Sequence, residues 1–196
     1  MIGTSSITGL VLAGGQGRRM GGVDKGLVDF DGRPMVAHVI DRFAPQVATI
    51  VVNANQNAER YAAFGYAVVA DAVGGFAGPL AGLQAGLAFA TTSHVATVPC
   101  DSPFLPADLV ARLAAAIAAG DADLAVARTG DQAHPVFALV HRRVLPHLEA
   151  FLAGGGRKID AWYAALATVE VAFDDEADAF RNINTRDELA GNLPQR

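Results

Sequence analysis

The segment from Leu12 to Gly26 constrains the fold more than any other, because an apolar run at residues 7–11 leads directly into the sequence LAGGQGRRMGGVDKG. Glycine lets backbone N–H groups turn toward a ligand without steric cost, and successive inward N–H groups form a concavity that holds an anion. Arg18, Arg19 and Lys25 add positive charge beside it. The pattern predicts a buried strand followed by a polyphosphate-binding loop. The alternative is a glycine hairpin with solvated basic residues.

Two common phosphate-binding motifs do not fit this loop. Gly15, Gly17 and Gly21 are spaced G-x-G-x-x-x-G, which departs from the dinucleotide fingerprint G-x-G-x-x-G. Lys25 follows Asp24 and precedes a glycine, so the G-x-x-x-x-G-K-[ST] motif is absent as well. The sequence therefore indicates a phosphate loop of another kind.

The composition predicts one folded domain and argues against several protein classes. Hydrophobic residues make up 52% of the 196 residues and charged residues 18%, which is enough for a core and argues against disorder. The net charge is −5, while residues 16–25 carry +2; a small anionic ligand suits this distribution better than nucleic acid or a membrane surface. The single cysteine, Cys100, excludes an internal disulfide and fits a reducing cytosol. We expect neither a signal peptide nor a transmembrane helix.

Apolar periodicity alternates between strand and helix along the first two thirds of the chain. Strands are predicted at residues 7–12, 48–52, 67–70, 94–98 and 124–127, and helices at 34–45, 56–64, from 78 onward and at 106–119. This alternation predicts an α/β fold, a mostly parallel sheet with helices on both faces. Farther on we expect strands at 134–140, whose antiparallel direction is an open option, and 169–173, and helices at 142–152 and 158–166. A capping box at residues 185–188 predicts a last helix.

Polar residues follow the predicted strands where each strand ends. The glycine loop follows the first, Asn53 with Asn55 the second, Asp71 the third, and Asp101 the fourth. Ligands of open α/β sheets bind in the crevice outside the carboxyl ends of the strands, so these residues should converge there. We expect Asp101 to bind Mg²⁺ together with phosphate oxygens. Asp71 and Asn53 suit a ribose or a base edge. The alternatives are a cap of the helix near Pro106 or a turn residue for Asp101, a turn residue for Asp71, and an ordinary strand-end residue for Asn53.

The cysteine and the histidines do not suggest a second kind of chemistry. Cys100 is expected to be a small buried residue and not a nucleophile. The five histidines show no zinc-binding spacing, and His134, before Pro135, is expected to be structural. The acidic run at residues 173–176 is expected to be a solvated turn.

The ordered set of motifs resembles a known family. The loop is similar to the signature loop of the GT-A-type nucleotidyltransferases. VVNAN at 51–55, Asp71, GPLAGL at 78–83, PCDSPFLP at 99–106 and NINT at 182–185 narrow the resemblance to the molybdenum cofactor guanylyltransferases, over residues 7–190. It implies a three-layer, Rossmann-like GT-A fold and a single domain, 1–196, with a nucleotide-binding half, 1–127, and an acceptor-side half, 128–196.

The resemblance also implies a role for each residue that matches a family motif. Contacts with the nucleotide and its phosphates are implied for Leu12, Ala13, Gly14, Gly15, Lys25, Asn53, Asp71 and Asp101. Positions in the same cleft are implied for Gly78, Gly82, Asn182 and Asn184. A catalytic role is implied for Lys25, Arg19 and Asp101, with Asp101 as the Mg²⁺ ligand. Gly17 departs from the serine or alanine of many relatives, and residues 141–172 align least, so the molybdopterin contacts stay open.

The implied reaction is attack by the terminal phosphate of molybdopterin on the α-phosphorus of GTP, with release of pyrophosphate. GTP and Mg²⁺ are the implied co-substrate and cofactor, and the implied enzyme is a cytoplasmic monomer that binds neither nucleic acid nor membrane. Molybdoenzyme-maturation proteins are an open option as partners. The alternatives are a transferase that uses CTP on the same pterin, one that acts on a sugar phosphate, and a non-catalytic nucleotide sensor or adaptor.

Overall fold

A computed structural model describes residues 2–15, 24–72 and 78–183. Its strands are β1 (Ile7–Leu12), β2 (Asp29–Phe30), β3 (Arg33–Pro34), β4 (Thr49–Asn53), β5 (Ala67–Val69), β6 (His94–Pro99), β7 (Leu124–Thr129), β8 (Gln132–His141) and β9 (Thr168–Ala172). Seven of them form one sheet in the order β5-β4-β1-β6-β8-β7-β9, and β2 and β3 form a separate hairpin.

The large sheet is mostly parallel, as predicted. β1 lies between β4 and β6 and is parallel to both, and β4–β5 and β7–β9 are also parallel pairs. β8 is antiparallel to β6 and β7, which confirms the antiparallel option for this strand. Only two residues separate β7 from β8, and Gly130 among them has φ of 52°. Such a tight turn joins antiparallel neighbours, whereas a parallel pair needs a long crossover.

The helices cover both faces of the sheet. They are α1 (Met35–Phe43), α2 (Ala58–Ala62), α3 (Pro79–Phe89), α4 (Leu109–Gly120), α5 (Leu145–Ala153) and α6 (Ile159–Tyr163). Short 3₁₀ turns occur at Thr4–Ser6, Lys25–Leu27, Ala44–Gln46, Arg142–Val144 and Asp174–Phe180. Across the described ranges, no helix combines the length and the apolar character that crossing a bilayer requires.

Two buried clusters, one on each face of the sheet, make the architecture three-layered. On β1, Val11 packs into the cluster that includes Val36 of α1 and Leu109 of α4. The next residue toward the N-terminus, Leu10, packs into the other cluster with Leu80 of α3 and Trp162 of α6. Successive strand residues point to opposite faces, so apolar side chains at both positions require helices on both sides.

Several predicted boundaries were wrong, and side-chain contacts explain the clearest case. Helix α4 begins at Leu109 and not at 106. The side chain of Gln46 donates to the carbonyl of Pro106 and accepts from the N–H of Val110, at 2.9 and 3.0 Å. Arg42 donates to the carbonyl of Leu105 at 2.8 Å. These side chains satisfy backbone groups that an earlier helix start would have used.

Three other segments also differ from the prediction. The helix predicted at 142–152 opens with the 3₁₀ turn Arg142–Val144, and the one predicted at 158–166 ends at Tyr163. By contrast, the acidic residues at 174–176 lie in the exposed part of the 3₁₀ turn Asp174–Phe180, as expected, although Phe173 before them is buried. The β2–β3 hairpin was not predicted, although Asp31 and Gly32 at its turn both have positive φ and Asp-Gly is a strong hairpin signal. The last predicted helix lies outside the described residues.

A buried histidine predicts how the stability depends on pH. His94 is 5% exposed, and its ring lies 4.6 Å from that of His141. Burial, together with His141 and Arg143, lowers the pKa of His94 to about 4. An unfolded histidine titrates near ~6.5, so between these values the unfolded chain binds a proton that the folded chain does not.

We therefore expect the free energy of unfolding to fall as the pH drops from about 6.5 toward 4, by up to ~1.4 kcal/mol per pH unit. Urea titrations across this range measure it. His94→Asn should flatten the slope, leaving the part due to His134 and His141, whose pKa values burial also lowers. An unchanged slope in the variant would contradict the assignment.

Candidate active site

The carboxyl ends of four strands meet at one edge of the sheet. Leu12, at the end of β1, is paired with Asn53 of β4 on one side and with Pro99 of β6 on the other, and Asn53 is paired with Val69 of β5. The backbone continues this alignment beyond the strands, since Ala13 N–H donates to the carbonyl of Asn53 at 2.8 Å. The residues predicted to converge therefore do lie along one edge.

On the β4 side of β1, two asparagines hold a carboxylate. Asn53 donates to Asp71 Oδ1 at 2.9 Å and to the carbonyl of Val69 at 3.3 Å. Asn55 donates to Asp71 Oδ2 at 2.8 Å and accepts from Asp71 N–H at 2.9 Å. Asn55 also donates to the carbonyl of Gly14 at 3.3 Å. We call Asn53, Asn55 and Asp71 the amide–carboxylate cluster.

Two glycines allow this cluster to pack closely. A Cβ on Gly14 would lie 2.8 Å from Asn53 Oδ1, and a Cβ on Gly82 would lie 2.3 Å from the same atom and 2.6 Å from Leu12 Cδ2. Asn53 is only 2% exposed. Its side chain is thus enclosed by the start of the loop and by α3, and it fixes the position of Asp71.

We expect Gly82→Ala to disturb this edge, because Asn53 and Leu12 must both move to admit the methyl group. Overpacking of this kind costs about 1–3 kcal/mol of stability. Thermal unfolding measures that loss, and nucleotide titration should show weaker binding. Gly120→Ala is the control, since a Cβ there meets nothing within 4 Å. Wild-type binding by Gly82→Ala would show that Asn53 does not support the site.

On the β6 side of β1, a lysine and a carboxylate form an ion pair. Lys25 begins the turn Lys25–Leu27, and its Nζ lies 3.1 Å from Asp101 Oδ2. The side chains are 29% and 12% exposed. The cationic end of the loop and the aspartate after β6 therefore face one another across the same edge, as the sequence predicted.

The C-terminal segment joins this pair. Ser102 Oγ donates to Asn182 Oδ1 at 2.7 Å, and Ile183 N–H donates to the carbonyl of Asp101 at 2.9 Å. Ile183 is buried against Phe30. The first asparagine of the NINT motif is thus beside Asp101, although 80 residues separate Asn182 from Ser102.

The other predicted residues divide into those at the edge and those outside the described ranges. Leu12, Ala13, Gly14 and Gly15 follow the edge at the end of β1, and Gly15 is exposed. Gly78, with φ of 61°, lies at the N-terminus of α3, and Gly82 lies one turn into that helix. Arg19 and Asn184 lie outside the described residues, as do Gly17 and Arg18.

Sequence reasoning missed the contacts of Asp24. Its carboxylate accepts from the hydroxyl of Tyr61 at 2.5 Å and from Asn57 Nδ2 at 2.9 Å. Burial raises the pKa of Tyr61, and the neighbouring Cys100 and Asp24 raise it further, so the phenol stays protonated and donates. In the sequence Asp24 is recognisable only as a negative charge in the loop, and no spacing relates it to Tyr61.

A bulge shapes the β8 side of the edge. The register between β7 and β8 shifts after Val126, and the carbonyls of the bulged segment find side-chain donors. Tyr163 Oη donates to Pro135 O at 2.8 Å and Thr97 Oγ1 to Val136 O at 2.7 Å. His134 is stacked on Phe180 with ring centroids 4.6 Å apart, which fits the structural role expected for it.

The carboxylate of Asp101 is a ligand of the kind that Mg²⁺ takes in proteins. Among residues 2–15, 24–72 and 78–183, no three histidine, cysteine, aspartate or glutamate side chains are grouped as a metal site. Mg²⁺ is commonly held by one or two carboxylates together with phosphate oxygens and water. Asp101 supplies one such carboxylate. Cys100, next to it, has its pKa raised by burial and so remains a thiol and a poor ligand.

The two halves of the site differ in chemistry. The amide–carboxylate cluster and the Lys25–Asp101 pair lie on opposite sides of β1. The strands that flank β1, β4 and β6, are about 10 Å apart at the usual spacing of neighbouring strands. One side offers polar acceptors, and the other offers a cation beside a carboxylate. This fold and this edge define a nucleotidyltransferase-type α/β domain. The chain belongs to the MobA-like NTP transferase family, whose sequence model matches residues 9–169.

Relatives of known name agree with this assignment. The chain is 54% identical to the molybdenum cofactor guanylyltransferase of Cupriavidus necator, over 96% of this chain and 97% of that protein. It is 50% identical to the protein of that name from Shewanella putrefaciens, over 93% of each. Among solved structures, the molybdopterin-guanine dinucleotide biosynthesis protein A of Archaeoglobus fulgidus superposes with a TM-score of 0.76 at 26% identity, covering 94% and 95% of the two chains.

Proposed function

We propose that this protein transfers GMP from GTP to the terminal phosphate of molybdopterin, with release of pyrophosphate. The observation that carries the proposal is the Lys25–Asp101 pair, with Nζ and Oδ2 3.1 Å apart at the edge that also holds the amide–carboxylate cluster. The choice of guanine and of molybdopterin is supported by the names of the relatives.

The two sides of the edge would orient the nucleotide. Asp71 receives one N–H on each oxygen from the asparagines, and a carboxylate has about four acceptor positions, so Asp71 can still accept from a ribose hydroxyl or a base. Asn53 would act through Asp71 because it is buried. The triphosphate would then extend past Leu12, Ala13, Gly14 and Gly15 toward Lys25.

Lys25 would bind the phosphates, and Asp101 would hold Mg²⁺. Bound there, the ion supplies charge neutralisation for the phosphate oxygens. Arg19, in the same loop, would add a further cation. Gly78 and Gly82 would give the nucleotide room beside α3, and Asn182 and Asn184 would offer amide donors from the C-terminal segment.

The chemical step needs positioning more than a side-chain nucleophile. An oxygen of the acceptor phosphate forms a bond to the α-phosphorus of GTP, and the bond from that phosphorus to the β-phosphate oxygen breaks. The attacking phosphate is already ionised at neutral pH, so no general base is required. Charge gathers on the departing pyrophosphate, where Lys25 would stabilise it.

The domain, the oligomeric state and the cellular location complete the proposed function. The chain would work as one domain, 1–196, with the nucleotide on residues 1–127 and the acceptor on 128–196, where the β8 bulge borders the edge. We further propose that the protein is a cytoplasmic monomer that binds neither nucleic acid nor a membrane. The single, buried, free Cys100 supports a reducing compartment. Proteins of molybdoenzyme maturation would receive the product.

A nucleotide panel tests the proposed function. Pyrophosphate release is measured with GTP, CTP, ATP and UTP, each with Mg²⁺ and with molybdopterin in its metal-free or molybdenum-loaded form. We expect release with GTP and acceptor together and little with either alone. Preference for CTP would make the enzyme a cytidylyltransferase. Activity with a sugar phosphate in place of the pterin would show that the acceptor is a sugar phosphate. GTP binding without release would indicate a nucleotide sensor.

A further inference from the structure

Asp24 connects Lys25 to an element outside the sheet edge. One carboxylate oxygen accepts from Tyr61 on α2 and the other from Asn57, which directly precedes α2 and has φ of 53°. Both oxygens are therefore held by neutral donors on one short segment. Lys25, the next residue, forms the ion pair with Asp101.

The following residue is fixed by packing. A Cβ on Gly26 would lie 2.5 Å from Tyr61 Oη and 3.2 Å from Cys100 Sγ. Gly26 is thus confined between α2 and the residue that precedes Asp101. Both neighbours of Lys25 are therefore fixed. Asp24 is held by hydrogen bonds, and Gly26 is held by close packing.

We propose that Asp24, Tyr61 and Asn57 form a latch that positions Lys25 for the phosphates of the nucleotide, an inference that rests on the proposed function. We call them positioning residues because they would act on the phosphates only through the backbone of Lys25, which adjoins Asp24. The latch holds the Lys25 backbone against α2, so that the ammonium group meets a bound polyphosphate with little loss of conformational freedom.

The chemistry of Asp24 supports a latch over an incidental surface contact. A carboxylate beside a triphosphate site would repel the substrate unless its charge were directed elsewhere. Here the donors from Tyr61 and Asn57 engage both oxygens. Tyr61 is fully buried, and a buried hydroxyl left without a partner is costly, so the bond to Asp24 is strongly favoured.

Binding of magnesium pyrophosphate, measured by calorimetry on the full chain, tests the latch without using guanine or molybdopterin. Tyr61→Phe, which removes one hydrogen bond to the carboxylate, and Asp24→Ala, which removes both, should each weaken this binding by about tenfold or more, the scale of a hydrogen bond to a charged group. Exchanging donor and acceptor in the double variant Asp24→Asn with Asn57→Asp should recover most of the affinity. Thr8→Val is the matched control, because it removes a buried hydroxyl that pairs with Thr92. Thr8 lies on β1, seven residues before Gly15 and away from the latch.

A double-mutant cycle separates positioning from a general loss of stability. If Tyr61 acts through Lys25, Tyr61→Phe should have almost no effect on pyrophosphate affinity in a Lys25→Met background. The proposal would be overturned if Tyr61→Phe lowered the pyrophosphate affinity equally with Lys25 and with Met at position 25. It would also be overturned if neither single substitution, at Tyr61 or at Asp24, lowered that affinity. Failure of the wild-type protein to bind magnesium pyrophosphate at all would instead count against the proposed function.

Discussion

Asp101→Asn is expected to lower kcat by about 10³-fold at saturating GTP, with the fold intact. The substitution keeps the shape of the side chain but removes the charge that pairs with Lys25 at 3.1 Å and that would hold Mg²⁺. Removal of a single group that stabilises transition-state charge costs on the order of 10²–10³ in kcat, and loss of the metal ligand should place this variant at the upper end.

Pyrophosphate release over a range of Mg²⁺ concentrations measures the effect. The saturation curve of the variant should move to much higher Mg²⁺. Asp41→Asn is a matched control, because Asp41 is also paired with a cation, Arg33, but on an exposed part of α1. Such exposed pairs contribute little. An Asp101→Asn enzyme with wild-type rate and wild-type Mg²⁺ dependence would remove Asp101 from the mechanism.

Lys25→Met is expected to lower kcat/KM for GTP by about 100-fold, which is the usual scale for one preorganised charge contact at the transferring phosphate. Methionine retains the length and apolar stem of lysine and loses the ammonium group. The substitution would also leave the Asp101 carboxylate without its countercharge. This is costly because the side chain of Asp101 is only 12% exposed and so is poorly solvated.

Initial rates across GTP concentrations, with acceptor fixed, give the value. The chain has one other lysine, Lys158, which is exposed just before α6, and Lys158→Met should keep the wild-type affinity for GTP. If Lys25→Met retained the wild-type kcat/KM, the triphosphate would not be bound where the ion pair lies.

The order of strands and helices was accessible from sequence because it depends on local apolar patterns. Strand β1 begins and ends where the run at residues 7–12 predicted. Errors arose where side chains distant in sequence decide a boundary, as Gln46 does at the start of α4. The β2–β3 hairpin is a different case, because its turn residues Asp31 and Gly32 are a local hairpin signal that the sequence itself contains.

The candidate site was partly predictable for a topological reason. Parallel strands bring their carboxyl ends together, so Asp71 and Asp101 could be placed at one edge from their position after strands. Burial of Asn53 under Gly14 and Gly82 could not be foreseen, because close packing depends on the register of β1, β4 and α3. The partners of Asp24 were inaccessible for the same reason, since Tyr61 is 37 residues away.

A crystal structure of the protein with Mg²⁺ and a GTP analogue that has a methylene group between the α- and β-phosphates tests the central claim most directly. The account predicts that a carboxylate oxygen of Asp101 lies at about 2.1 Å from the metal ion, with Lys25 Nζ on a phosphate oxygen and the nucleoside toward Asp71. A nucleotide bound away from the carboxyl ends of β1, β4 and β6, with the Lys25–Asp101 pair undisturbed, would contradict it.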